Sequence, residues 1–180
     1  MRIRDFISRR RPAKVSELMT SEVEACRPDD NLETAARMMW NGDIGVVPVI
    51  DDQRRVLGIV TDRDIAMAAY TQGKPLRDLP VDVAMAREIF SCRADDPVAT
   101  AEHIMRARQV RRLPVIDDEG KLAGILSLND IARAWAVERG PSDSALQSDA
   151  VAATLGAICL PRPASAERKR MERAARAAAS

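Results

Sequence analysis

Val47-Pro48-Val49-Ile50-Asp51-Asp52 is followed by Gly58-Ile59-Val60-Thr61-Asp62-Arg63-Asp64-Ile65-Ala66, and 66 residues further on the chain reads Leu113-Pro114-Val115-Ile116-Asp117-Asp118, then Gly124-Ile125-Leu126-Ser127-Leu128-Asn129-Asp130-Ile131-Ala132. The match extends outward without a gap. Val15–Met19 falls on Val81–Met85, Cys26–Asp30 falls on Cys92–Asp96, and 21 of the 56 positions in 15–70 recur identically in 81–136. A single register held that long is an internal duplication, and it takes precedence over any local reading. Units of 56 residues are small for independent cores, so the two copies are predicted to pack on each other.

Within a copy the period changes as it should for an α/β unit. Val46–Ile50 and Val56–Val60 are apolar runs joined by polar Asp51–Arg55, which reads as a hairpin; Leu113–Ile116 and Leu122–Leu126, joined by Asp117–Lys121, repeat it. Leu32, Ala35, Ala36 and Met39 stand at helical spacing, as do Val98, Ala101 and Met105. Asp30 and Asp96 are expected to cap those helices, with Pro97 at the first helical position. A short strand is expected near Val23–Cys26 and again near Ile89–Cys92, and a second helix from Thr61 and from Ser127. The unit is strand, helix, strand, strand, helix. Domain boundaries follow: a basic arm 1–14, repeats 15–70 and 81–138, a Gly- and Pro-containing linker 71–80, and an Ala/Arg-rich tail 139–180. That tail is predicted to hold a weak helix over 145–159 and to be partly disordered, and both basic ends are expected to be dispensable for folding.

Composition narrows the function. Hydrophobic residues make up 46% and charged residues 31% of the 180, a globular balance. Aromatics are only 3%, too few for a platform that stacks single-stranded bases. One histidine and three cysteines without a CxxC spacing argue against a metal site. No apolar stretch approaches the ~20 residues a bilayer needs, and the N-terminus lacks the apolar run of a signal peptide, so the chain reads as cytoplasmic. Charge is segregated: residues 1–14 carry six basic and one acidic side chain, residues 161–180 six and two, and 15–160 a net −8. The basic ends open one reading, a ligand-switched binder of nucleic acid or an anionic surface through salt-dependent phosphate contacts. A paired nucleophile and base, a Walker loop, a GxGxxG and a metal cluster are all missing from the sequence, and the chain is read as not an enzyme.

The tandem units, each with an hPVhD…GhhT/SxxD signature, resemble the CBS-domain pair, named for cystathionine β-synthase and also called a Bateman module. The resemblance covers 15–136, about two-thirds of the chain. It implies two repeats packed with pseudo-two-fold symmetry and a regulatory role: an adenosyl nucleotide such as AMP, ADP, ATP or S-adenosylmethionine binds between repeats as a regulatory ligand, with no obligatory cofactor. It also implies a homodimer, and a regulated protein partner that is acted on in trans.

Thr61 with Asp64, and Ser127 with Asp130, sit at strand-to-helix junctions. One reading is helix capping, a hydroxyl at the N-cap and a carboxylate near the positive end of the helix. The other is ribose binding, the carboxylate accepting from both hydroxyls. A carboxylate has two oxygens, so both roles can coexist. The resemblance assigns the adenine wall for Ser127 and Asp130 to Ala25, Ile44, Gly45 and Val46, and that for Thr61 and Asp64 to Ser91, Val110 and Arg111. Arg111 and Arg112 are candidates for phosphate because a guanidinium fork matches it bidentately; their counterparts Gly45 and Val46 cannot. The cleft built on Ser127 and Asp130 is therefore expected to be the stronger. Cys26 and Cys92 read as small buried residues, His103 as solvated, Trp40 and Trp135 as packing anchors, and Met38, Met39, Met67 and Met105 as gap fillers. The Ala- and Met-rich helix faces, with Met67, Ala68, Ala132 and Trp135, point to self-association.

Overall fold

A computed structural model describes residues 13–137 and 145–159. The basic segments 1–12 and 160–180, to which the arm and the end of the tail were assigned, lie outside the described residues. The elements are α1 (Leu32–Gly42), β1 (Val46–Ile50), β2 (Val56–Thr61), α2 (Asp62–Gln72), β3 (Cys92–Arg93), α3 (Val98–Arg108), β4 (Arg112–Ile116), β5 (Leu122–Ser127), α4 (Leu128–Val137) and α5 (Ala145–Cys159). The predicted α/β unit is present twice.

Each hairpin has the same register, β1 antiparallel to β2 and β4 to β5, with a bulge at Val49/Ile50 and at Val115/Ile116. The aspartate after each apolar run organises the turn. Asp51 Oδ1 accepts from the backbone of Gln53 and Arg55, and Asp117 Oδ1 from that of Glu119 and Lys121. In the second repeat β3 pairs parallel with β4. In the first, the strand expected near Val23–Cys26 shrinks to one bridge between Cys26 and Val49, held by Cys26 N–H to Pro48 O and Ile50 N–H to Cys26 O, both 2.9 Å.

The expected caps shift by one residue. Asn31 caps α1 by accepting from Thr34 N–H at 2.9 Å, and Pro97 occupies the N-cap of α3 without a side-chain bond. Asp30 and Asp96 close the preceding turns instead, accepting from Arg27 N–H at 2.7 Å and Arg93 N–H at 2.8 Å. A carboxylate satisfied three residues back is no longer aimed at the helix.

The two repeats exchange their first segments. Val81 and Met85, which open the second copy, belong to the core of Leu32, Ala35, Val47, Val49, Val60 and Ile65. Val15 belongs to the other core, with Val98, Ala101, Met105, Leu113, Val115, Leu126 and Ile131, and Ala13, Leu18 and Met19 pack against it. The exchange is reciprocal down to single bonds. Val81 N–H donates to Asp30 O at 2.7 Å and Val15 N–H to Asp96 O at 2.9 Å. Ile59 and Ala86 exchange both backbone bonds, as do Ile125 and Thr20. Arg55 bridges Lys121, its own equivalent at the 66-residue offset, so the pseudo-two-fold axis passes between the hairpin turns.

Leu79, placed in the linker, is 3% exposed in the first core, and its carbonyl accepts from Leu32 N–H at 2.8 Å, so 71–80 is not simply a tether. The helix expected over 145–159 forms with those bounds but is not idle. It lies on α3 and α4, where Val151 and Ile158 pack on the second core, Thr154 is fully buried, and Gln109 Nε2 donates to Ala157 O at 3.1 Å. Trp40, expected to be a packing anchor, faces solvent instead at 87% exposed, and Met67, read as filling core or interface, is 48% exposed.

Candidate ligand-binding clefts

Both hydroxyl–carboxylate pairs form closed boxes at the starts of α2 and α4. Asp64 Oδ2 accepts from Thr61 N–H at 3.0 Å and Thr61 Oγ1 at 2.7 Å, while Asp64 N–H donates to Thr61 Oγ1 at 3.2 Å. Asp130 Oδ2 accepts from Ser127 N–H at 2.8 Å and Ser127 Oγ at 2.6 Å, and Asp130 N–H donates to Ser127 Oγ at 3.2 Å. Capping is therefore the ground arrangement in both, and it consumes one oxygen of each carboxylate. The second oxygens differ. Asp64 Oδ1 has no hydrogen-bond partner among the described residues, whereas Asp130 Oδ1 pairs with Arg133. Arg133 is 76% exposed, and an ion pair that open to water is weak and displaceable.

Arg112 begins β4 and reaches across to the other repeat. Its Nη2 stands 3.5 Å from where a β-carbon on Gly45 would be, and Asp62 Oδ2 stands 3.1 Å from the same point. Burial pushes the Arg112 pKa down and neighbouring Arg111 adds to that, while Asp62 and Asp130 oppose it. A guanidinium remains charged under such shifts, so one half-buried cation sits between a carboxylate of each repeat. Beside it, Arg111, Arg112, Ser127 and Asn129 line a polar cavity of about 110 Å³. Leu128 N–H donates to Arg111 O at 2.9 Å, which ties the arginine strand to the start of α4.

The structure thus brings together Arg111, Arg112 and Ser127 around one cavity, and Gly45 with Arg112 across the repeats. The proposed adenine walls are less uniform. Ala25, Gly45 and Ser91 are half-buried, and Ile44 is 40% exposed. Val46 is 5% exposed, and Val110 packs on the second core, so neither offers much open surface. Asp62 and Asn129 were not singled out by sequence. Their signal was faint: a position just inside the helix, Asp62 against its equivalent Leu128, where the copies differ in charge.

Cys26 and Cys92 are buried free thiols. Burial, aided by Asp30 and Glu24, pushes Cys26 up to about 11; burial and Asp96 push Cys92 up to about 12. Neither is poised for redox or metal chemistry. Among the described residues there is no cluster of three or more potential metal ligands, and no helix is long and apolar enough to cross a membrane.

The family model described as the CBS domain matches residues 15–70 and 77–137. An uncharacterised 17.7 kDa protein of Acidianus ambivalens is 39% identical over 121 residues, 67% of this chain and 72% of that protein. Inosine-5′-monophosphate dehydrogenase of Methanocaldococcus jannaschii is 32% identical over 120 residues, 67% of this chain but 23% of that enzyme. Among solved structures, CBSX2 in complex with AMP superposes with a TM-score of 0.61 at 26% identity, over 70% of this chain and 98% of that one.

Proposed function

This chain belongs to the CBS domain family, and we propose on that basis that it is a cytoplasmic, non-catalytic sensor that binds an adenosyl nucleotide between its repeats and signals that state to a protein partner in trans. It acts as a homodimer. The ribose is held by the second oxygen of a capping carboxylate, Asp64 or Asp130, beside Thr61 or Ser127, and at Asp130 it displaces the exposed Arg133. Phosphate is held by Arg111 and Arg112, so the stronger cleft is the one built on Ser127 and Asp130. The observation that carries this reading is the cavity shared by Arg111, Arg112 and Ser127, one hydrogen-bonded turn from the Asp130 carboxylate. Backbone groups, the half-buried small residues Ala25 and Gly45 and the exposed Ile44 supply a surface on which a base can lie. The AMP bound by CBSX2, a relative in fold at 26% identity, supports the ligand class.

Calorimetric titration of the full chain with adenosine, AMP, ADP, ATP and S-adenosylmethionine, with GMP as a control, tests it. Saturable binding of an adenosyl ligand, tightening with phosphate, is the expected result. Flat isotherms across the adenosyl series, or GMP binding as well as AMP, overturn it.

A further inference from the structure

The charge around Arg112 is unequal in a way the duplication does not copy. Asp62 is the first residue of α2, and Leu128, its equivalent at the 66-residue offset, is 6% exposed and belongs to the second core. The chain thus sets a carboxylate at one helix start and an apolar side chain, turned into the core, at the other. Asp62 is exposed, and its Oδ1 accepts from Arg63 N–H at 2.7 Å. Its Oδ2 borders the space over Gly45, and Arg112 Nη2 borders the same space from the second repeat. Gly45 has no side chain to separate them, so carboxylate and guanidinium share one notch. Burial and Arg111 push the Arg112 pKa down, and Asp62 and Asp130 oppose them. Arg112 also lines the polar cavity of about 110 Å³ with Arg111, Ser127 and Asn129; Asp62 does not.

We propose that Asp62, contributed by the first repeat, sets how many phosphates the cleft of Ser127 and Asp130 prefers, by competing for Arg112 with every phosphate beyond the first. The inference rests on the adenosyl-nucleotide reading above and adds a specificity-determining residue that reading does not use. The cavity has the size of one phosphate: at about 30 Å³ for each water-sized group it takes about four, not a chain of three phosphates. A further phosphate that follows the guanidinium out of the cavity comes to Gly45, beside Asp62. Asp130 cannot discriminate in this way, because the ribose of every adenosyl ligand meets it alike. Asp62 is met only by the longer chains. Being exposed, it acts through water, so its effect is modest and depends on salt. Two unit charges about 6 Å apart in water change binding about threefold, and two further phosphate charges make that about tenfold.

Calorimetric titration of the full chain, of Asp62→Asn and of Asp62→Glu with adenosine, AMP and ATP tests this, at low salt and at about 0.15 M. Asparagine keeps an oxygen for Arg63 N–H and removes only the charge. The expected result for Asp62→Asn is unchanged adenosine binding, AMP tightened by at most about threefold and ATP by about tenfold, with the gap shrinking at the higher salt. Asp62→Glu, which keeps the charge, should keep the ATP-to-AMP ratio of the unaltered chain, a distinction a merely structural role for Asp62 would not make. An unaltered chain that binds none of the three ligands removes the nucleotide reading and the inference together. An unaltered chain that binds, with the same ATP-to-AMP ratio in Asp62→Asn, removes only the inference. Equal tightening of all three ligands, adenosine included, also overturns it, because Asp62 then acts on the shape of the cleft and not on phosphate charge. Should Asp62→Asn fail to fold, Asp62→Ser carries the same comparison.

Discussion

The backbone oxygen of Ala86 lies 2.8 Å from the point where a β-carbon on Gly58 would stand. The equivalent pair is closer still, Thr20 O being 2.7 Å from that point on Gly124. Each glycine sits in the apolar run ahead of the hydroxyl–carboxylate box, and each is met by the segment that the other copy donates. Gly58→Ala and Gly124→Ala therefore push against backbone, which cannot swing aside as a side chain can. Each substitution is expected to cost about 1–3 kcal/mol, as overpacking does. Urea unfolding of each variant checks it; a loss below a few tenths of a kcal/mol would mean the exchanged segments yield freely.

The exchange and α5 together set the minimal folded chain. Val98 N–H donates to Ala13 O at 2.9 Å, and α5 places Val151 and Ile158 on the second core. A chain spanning 13–159 is expected to melt like the full protein. A chain spanning 15–140 loses two apolar side chains' worth of cover, about 3 kcal/mol at the usual value of burial. Differential scanning calorimetry of both should show the shorter one melting well below the longer.

Asp64→Ala and Asp130→Ala lose the same capping-box bonds, and Asp130→Ala loses beyond them only the exposed pair with Arg133, so comparing them isolates the ligand. Each should lose about 1 kcal/mol of stability. Only Asp130→Ala is expected to abolish the tighter phase of AMP or ATP binding, with a loss of tenfold or more, since hydrogen bonds to charged groups are worth about 1.5–3 kcal/mol. The reverse order would mean that Arg112, lying beside Gly45 and Asp62, serves the other cleft.

Glu102 on α3 is 7% exposed and its Oε1 has no hydrogen-bond partner among the described residues. Burial raises its carboxyl pKa above the ordinary 4.5, with Arg106 opposing. The folded state then holds the proton more tightly than the unfolded chain. Its contribution is fully present below pH 4.5 and is lost as the pH rises through the folded value. Glu102→Gln removes that loss. The variant should be the more stable at about pH 8, with the gap closing towards about pH 4, in chemical denaturation run at both.

Thiol labelling should separate the cysteines. Cys159 is exposed, whereas Cys26 and Cys92 are buried and held protonated near neutral pH. The native protein is expected to release one equivalent of thionitrobenzoate promptly and the remaining two only on unfolding. Prompt reaction of all three would mean that the cores open readily.

The sequence determined what depends on local pattern. The 66-residue register, the hairpins and the hydroxyl–carboxylate boxes recur because period-two apolar runs, turn aspartates and an N-cap hydroxyl three residues before a carboxylate act within a few neighbouring residues. It also fixed the bounds of α5 by the breakers on either side. It could not say which body a segment joins. Val15 and Val81 are identical residues in equivalent positions, and an offset match is blind to whether each serves its own repeat or the other. Nor did it show that α5 docks. Its apolar residues follow no single stripe, and burial of Thr154 and Ile158 depends on the face that α3 and α4 happen to offer. Arg112 meeting Gly45 and Asp62 is decided in the same way. Non-directional burial and charge contacts across 50 or more residues are set by how the repeats pack, and only the assembled tertiary structure holds that information.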